Sequence, residues 1–338
     1  MAQKIIKTGM LSFGMSGTLF HAPFLNEHPG FHLIGVVERS KKLAHKSYPD
    51  IKSYDSVDQL IADKDIELVI VNTPNFTHFE FALKALKAKK HVLVEKPFCV
   101  TSSEAKELFA EAKKAGLYIL PYQNRRYDSD FLSVKSVLDS GKLGSLVEVH
   151  MRYDRYRHHI GPKLAKETPV PGSGLMYDLG PHLLDATIAL FGYPLEWRKH
   201  TGQFRPKTQV DDYGHIHLMY PKGVQVFITM SMLVVQPQAS FVLNGTKGTF
   251  VKPRTDIQEQ QLLAGMNPMD PLFGIEETDK FGVLTTIATN GEKQIEKIES
   301  TKSSYINLFT DVYKSIIDGV PYPISERDIV IQLEILEK

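Results

Sequence analysis

Near its start the chain runs Ile5-Ile6-Lys7-Thr8-Gly9-Met10-Leu11-Ser12-Phe13-Gly14-Met15-Ser16-Gly17. A short apolar run ends in a Gly/Ser-rich turn. Residues 12–17 follow the pattern G-x-G-x-x-G, with serine in place of the first glycine. In that pattern the second glycine lets the backbone approach a pyrophosphate, and the third lets the next helix lie close to the strand. The N–H groups that open the helix then face the anion. Gly14 and Gly17 keep these two functions, whereas Ser12 must make the tight turn without glycine's freedom in φ. A glycine turn by itself binds nothing. Here a strand precedes it, a helix pattern follows it, and Glu38 ends the next apolar run, where a carboxylate can accept from ribose hydroxyls.

Outward from this loop, the chain up to residue 121 alternates between two textures. Residues 33–37, 68–71, 91–94 and 117–120 are short continuous apolar runs, as in strands buried on both faces of a parallel sheet. Between them the period is helical. Residues 76–89 carry Phe79, Leu83 and Leu86 on one face, and residues 102–115 carry Ala105, Leu108, Phe109 and Ala112. Thr101 and Glu104 have the spacing of a capping box, and Gly116 stands where a helix stops. Strand–helix alternation of this kind gives an α/β domain, a doubly wound parallel sheet.

Beyond residue 121 the texture changes. A helical pattern over 127–138 is followed by strand-like segments at 146–153, 215–220, 224–232 and 240–243. Pro221-Lys222-Gly223 reads as a hairpin turn between two of them. One helix interrupts, over 174–191. Residues 255–280, rich in Gln, Gly, Met and Pro, read as a long loop, and two helices over 303–318 and 325–338 close the chain. The expected division is a nucleotide-binding domain over 1–121 and an α+β substrate domain with a mostly antiparallel sheet over 122–338.

Composition narrows the function. The 338 residues carry 40 Lys plus Arg against 39 Asp plus Glu, so nothing in the global charge calls for nucleic acid or an anionic membrane. At 42% hydrophobic residues the chain is not a disordered one. Cys99 is the only cysteine, which excludes an internal disulfide or a cysteine-based zinc site and suits a reducing, cytoplasmic setting. Lys4 and Lys7 before the uncharged run 8–20 imitate a secretory leader, but glycines and serines break the apolar core such a leader needs. No apolar run has the length of a membrane helix.

Two further constellations carry chemistry. Glu95-Lys96-Pro97 closes a strand at the edge where open α/β sheets bind ligands, and a lysine there can donate to a substrate oxygen. Taken alone, such a lysine is more often only a solvated strand end. Tyr177-Asp178-Leu179-Gly180-Pro181-His182 puts Asp178 and His182 four residues apart, on one face of a helix. His182 can act as a base while Asp178 orients it, and Pro181 suggests that the helix proper starts there. The bland reading is a satisfied histidine at a helix start. A metal site using Asp178, His182 and Asp185 is disfavoured, since only one imidazole is present. His158 and His159, read as adjacent strand residues, should point opposite ways. Arg152, Arg155 and Arg157 are candidate substrate-facing cations. The phrase Gln123-Asn124-Arg125-Arg126-Tyr127-Asp128 falls where the domains join, a usual place for ligand sites.

Together SFGMSG with FHAPFL after it, TPNFTHFEFALKALKAKKHVLVEKPF, PYQNRRYDSDF, GSGLMYDLGPHLLD and FVLNGTKGTF resemble the glucose–fructose oxidoreductase, inositol dehydrogenase and rhizopine-catabolism family. YDLGPHLLD and NRRYDSDF point to its scyllo-inositol dehydrogenase-like branch. The resemblance implies a Rossmann domain, a C-terminal domain with a large open sheet, and a homodimer or homotetramer formed through that sheet. It implies a dehydrogenase moving a hydride between a sugar or polyol hydroxyl and NAD or NADP, with Lys96, Asp178 and His182 as the catalytic set. It places the cofactor at Phe13, Gly14, Met15, Ser16, Gly17, Glu38, Arg39, Thr73, Pro74, Asn75, His78 and Glu95, with Ser40, Lys96 and Asn124 beside it. Tyr127, Arg155 and Tyr177 join the catalytic set around the substrate. Glu38 tips the cofactor reading toward NAD, because a carboxylate repels a 2′-phosphate, although Arg39 and Ser40 can hold one. Two relatives of other classes stay open: a glycosidase using transient oxidation by NAD, and a ligand-sensing regulator without catalysis.

Overall fold

The computed structural model describes residues 4–161 and 167–337. The chain forms two compact units. One is built from the chain up to Asn124 with Glu259–Phe273 and Ser304–Val330; the other from Arg125–Gln258, Gly274–Ser303 and Ile331 onward.

The first unit holds six parallel strands: β1 (Ile6–Met10), β2 (Phe31–Val37), β3 (Lys52–Tyr54), β4 (Leu68–Val71), β5 (His91–Val94) and β6 (Ile119–Pro121). Their order is β3-β2-β1-β4-β5-β6. The chain runs outward from β1 on one side and returns on the other, so the order reverses between β1 and β4. Crevices at such a reversal, at the carboxyl ends of the strands, are where open α/β sheets hold ligands. Central positions are fully buried, as the continuous apolar runs require: Val69, Ile70, Val92 and Leu93 are all at 0% exposure. Helices α1 (Ala22–Glu27), α2 (Val57–Ala62), α3 (His78–Lys87) and α4 (Ser102–Ala115) connect the strands. The capping box of α4 is complete. Thr101 Oγ1 accepts the Glu104 N–H at 3.2 Å, and Glu104 Oε2 accepts the Thr101 N–H at 3.0 Å. Gly116 ends the helix with φ 66°. The later helix Ile306–Asp318 returns to this unit, where Tyr305 and Phe309 join Phe24 in an aromatic cluster.

The second unit holds α5 (Ser129–Asp139) and eight strands: β7 (Leu146–Asp154), β8 (Glu196–Gly202), β9 (Tyr213–Met219), β10 (Gln225–Ser231), β11 (Phe241–Gly245), β12 (Gly248–Lys252), β13 (Gly282–Ile287) and β14 (Lys293–Ile298). Their order is β14-β13-β12-β11-β7-β10-β9-β8, antiparallel except where β10 runs parallel to β7. Val149, Ile216, Leu218, Val226 and Ile228 form the covered face. Helix α6 (Gly174–Phe191) lies on it against β7, β9 and β10. His150, His215, His217 and Phe227 alternate to the other face, with the three imidazoles stacked about the phenyl ring.

Three local expectations are corrected. Pro181 lies inside α6, not at its start. The helix begins earlier because Asp211 satisfies its first donors: its carbonyl accepts from Leu175 N and its carboxylate from Met176 N. The segment 255–280 is not all loop, since Ile257–Leu263 is helical. His158 and His159 do not alternate along a strand. β7 ends at Asp154, and their rings meet edge to face at 4.9 Å. No helix among the described residues is long and apolar enough to cross a membrane.

Candidate active site

The loop after β1 is built as its glycines suggest. Ser12 Oγ accepts the Gly14 N–H at 3.3 Å, so serine closes the turn with its own side chain. Asn72, at the end of β4, donates to the Ser12 carbonyl at 2.8 Å and pins the loop across the strand reversal. A Cβ on Gly17 would sit 2.5 Å from the Ser12 carbonyl oxygen, so no larger residue fits there without displacement. Gly14 differs. A Cβ there would meet only Ser12 Oγ, at an ordinary 3.5 Å, and Gly14 is exposed without a positive φ. Nothing among the described residues demands glycine at 14. A bare backbone that something approaches from outside accounts for it, which fits a dinucleotide pyrophosphate.

Glu38 faces inward. Oε1 accepts the N–H groups of Leu43 at 2.7 Å and Ala44 at 3.2 Å, and Oε2 accepts the Ser53 hydroxyl at 2.9 Å. A carboxylate with 7% exposure needs such donors, and these three take most of its acceptor capacity. Arg39 and Ser40, the next two residues, are exposed.

The remaining nucleotide-site candidates of this unit lie at the carboxyl ends of β4 and β5. Thr77 Oγ1 donates to the Pro74 carbonyl at 2.6 Å and so accepts from Thr73 Oγ1 at 2.7 Å. His78 spans the two loops, with Nδ1 2.8 Å from the Pro97 carbonyl and Nε2 2.8 Å from that of Thr73. Burial pulls its pKa down, against the pull of those two carbonyls. Glu95 is buried, and Oε1 lies 2.9 Å from His21 Nε2. Burial pushes the Glu95 carboxyl up. The His21 hydrogen bond and the charge of Lys96 outweigh it and hold the pKa below its usual value. Lys96 follows, half-buried, with a cis peptide to Pro97. Asn124 is buried at the end of this unit's first segment. Sequence reasoning assigned no role to His21 or Asn72. His21 sits in the quoted FHAPFL, and Asn72 is the polar residue that ends an apolar strand.

In the second unit α6 places Asp178 and His182 one turn apart. Arg155 NH1 reaches Asp178 Oδ2 at 3.5 Å, and its NH2 reaches Tyr153 Oη at 3.3 Å. Tyr153, also missed by the sequence reading, is buried beneath the guanidinium of Arg254, 4.1 Å from its ring centroid. Burial would raise the phenol pKa, but Arg254, Arg125 and Arg155 outweigh it, so the net shift is downward. Arg155 and Asp178 are thus brought together, with His182 one turn further along the same helix. Tyr177 on the same helix is half-buried.

The arginines of NRRYD are committed elsewhere. Arg126 pairs in bidentate fashion with Asp185, at 2.7 and 2.9 Å. Asp185 therefore braces α6 and does not face Asp178 and His182 as a ligand. Arg125 bridges Asp128 at 3.0 Å and Asp256 at 2.7 Å. Burial pushes the Asp128 carboxyl up to about 7. The Tyr127 carbonyl accepts from Gln258. Arg152 is paired with Asp154, whereas Arg157, His158 and His159 are exposed. Among the described residues no cluster of three His, Cys, Asp or Glu side chains is arranged to hold a metal.

Comparison with known proteins agrees with both units. Residues 6–122 match the model of an oxidoreductase family with an NAD-binding Rossmann fold, and residues 131–251 match the GFO/IDH/MocA C-terminal domain. The chain is 36% identical to the uncharacterized oxidoreductase YhhX of Escherichia coli, over 99% of this chain and 96% of that one. It is 31% identical to the scyllo-inositol 2-dehydrogenase (NADP(+)) IolW of Bacillus subtilis, over 98% and 92%. A putative oxidoreductase from Bacteroides fragilis, solved by crystallography, superposes with a TM-score of 0.89 at 41% identity, covering 99% of this chain and 96% of that one.

Proposed function

Because the chain belongs to the GFO/IDH/MocA oxidoreductase family, we propose that it is an NADP-dependent dehydrogenase acting on a secondary alcohol of a sugar or cyclic polyol. Bound nicotinamide supplies the hydride acceptor. In the oxidation direction His182 takes the hydroxyl proton, while Lys96 hydrogen-bonds to the same substrate oxygen and stabilises the negative charge that grows on it. Asp178, held by Arg155, orients His182 and balances its charge. Tyr177 and Tyr127 line the polyol. Gly14 to Gly17, Thr73 to Asn75 and His78 hold the dinucleotide.

The observation that carries the cofactor choice is the inward turn of Glu38. The carboxylate that should repel a 2′-phosphate is spent on Leu43, Ala44 and Ser53, so Arg39 and Ser40 meet the ribose instead. An NADP-linked inositol dehydrogenase among the relatives supports it. The outer face of the eight-stranded sheet is the surface we assign to a homodimer or homotetramer.

A panel of inositols and sugars assayed with NADP+ and NAD+ tests the reading. The expected result is reduced-cofactor formation with at least one cyclic polyol or sugar and a preference for NADP+. Sugar release without net cofactor reduction overturns it in favour of a glycosidase. Ligand binding without turnover on any member overturns it in favour of a regulator.

A further inference from the structure

His21 ends the helical turn that begins at Gly17, so it is rigidly continuous with the phosphate loop. Its ring is at 0% exposure and lies against Tyr122, 4.3 Å between centroids and tilted by 43°. Nε2 meets Glu95 Oε1 at 2.9 Å, while Nδ1 is buried with no hydrogen-bond partner among the described residues. A proton on Nδ1 would bury an unmatched donor, whereas a bare ring nitrogen costs less. The proton therefore sits on Nε2 and is donated to Glu95. The other carboxylate oxygen, Oε2, accepts the backbone N–H of Lys96 at 3.1 Å. One carboxylate thus stitches the end of the phosphate-loop turn to the peptide of Lys96.

We propose that His21 is a positioning residue for Lys96: acting through Glu95, it fixes the lysine relative to the turn that holds the dinucleotide. The proposal rests on the role given to Lys96 above, but the link can be read without any substrate. His21 touches no reacting atom. It sets where Lys96 stands when the substrate oxygen arrives, and misplacing a group by about an ångström costs on the order of 100-fold in rate.

The side-chain amides make the test specific. The amide nitrogen of glutamine occupies nearly the place of Nε2, and that of asparagine the place of Nδ1. Of the variants His21→Leu, His21→Asn and His21→Gln, only the last can donate to Glu95. Glu95→Gln is a nearly isosteric second probe, since its single carbonyl oxygen cannot accept from both His21 and Lys96. Amide hydrogen exchange on the full chain without ligand reads the link directly. Exchange at Lys96 should rise about 10-fold or more in His21→Leu, His21→Asn and Glu95→Gln, and return toward the parent rate in His21→Gln. With NADP+ and an accepted polyol, the first three should lose about 10- to 100-fold in kcat with KM and NADP+ affinity within about twofold, and His21→Gln should recover most of it. Unchanged Lys96 exchange in folded His21→Leu and Glu95→Gln overturns the proposal. So does His21→Gln failing as badly as His21→Asn. If no substrate is turned over, the functional reading fails while the exchange arm still judges the link.

Discussion

Glu38 Oε1 accepts the backbone N–H of Leu43 at 2.7 Å. A side chain that sequence patterning places against a ribose is thereby a brace for the segment that follows it. In the proposed function, cofactor choice then falls to Arg39 and Ser40. Arg39→Ala should weaken NADPH binding by about 10- to 100-fold, the worth of a charge-assisted hydrogen bond, and leave NADH binding nearly unchanged. Isothermal titration with both nucleotides reads this. Equal losses for the two would return Glu38 to the ribose.

The two glycines of the loop should separate on substitution. Gly17→Ala pushes a methyl against the Ser12 carbonyl and should cost about 1–3 kcal/mol of stability. Gly14→Ala meets only ordinary contact and should melt within a degree or two of the parent, but bind dinucleotide about tenfold less tightly, or about 1.4 kcal/mol. A Gly14→Ala protein that binds nucleotide normally would remove the phosphate-loop assignment.

Arg126 and Asp185 form a pair at 12% and 3% side-chain exposure. Removing one partner leaves a buried charge uncompensated, so Asp185→Ala should cost about 3–5 kcal/mol. Denaturant unfolding measures it. A loss under about 1 kcal/mol would mean that the guanidinium finds water or another acid.

Acid should destabilise the fold before most carboxylates titrate. Burial lowers the pKa of His28, His78, His91 and His215 in the folded chain. The unfolded chain then binds more protons just below pH 6.5, so stability present above that pH is lost as pH falls toward the folded values. Asp128 works the other way. Its folded pKa of about 7 lies above the unfolded one, so it gains stability on acidification. Burial also raises the carboxyls of Asp130 and Asp211, so four histidines stand against three aspartates, and Tm should still fall between pH 7 and pH 5. A flat or rising Tm would show that Asp128 and its neighbours dominate. The Asp128→Asn variant should steepen the fall.

Much of the fold was legible because it obeys simple periods. The buried strands β4 and β5 are continuous apolar runs, and the cap of α4 is written in Thr101 and Glu104. The strands β8 and β14 were not legible. They are the edges of the larger sheet, and WRKH and KQIEK carry the charges that keep edges from pairing further, at the expense of an apolar run. Pro181 misled because its cost is local, while Asp211, distant in sequence, caps the helix. At the candidate site, the spacing of Gly14 and Gly17 and of Asp178 and His182 was visible in the sequence. The inward turn of Glu38 and the His21–Glu95 link were not, because each depends on a partner that only the folded chain supplies.

In the proposed hydride transfer His182 is the base and Lys96 holds the substrate oxygen. Its most direct test is the rate of NADPH formation by His182→Ala and Lys96→Ala on the best polyol of the panel, with NADP+ affinity measured alongside. His182→Ala should lose about 10²- to 10⁴-fold in kcat and Lys96→Ala a comparable amount, with NADP+ still bound. Near-normal turnover in both variants would contradict it.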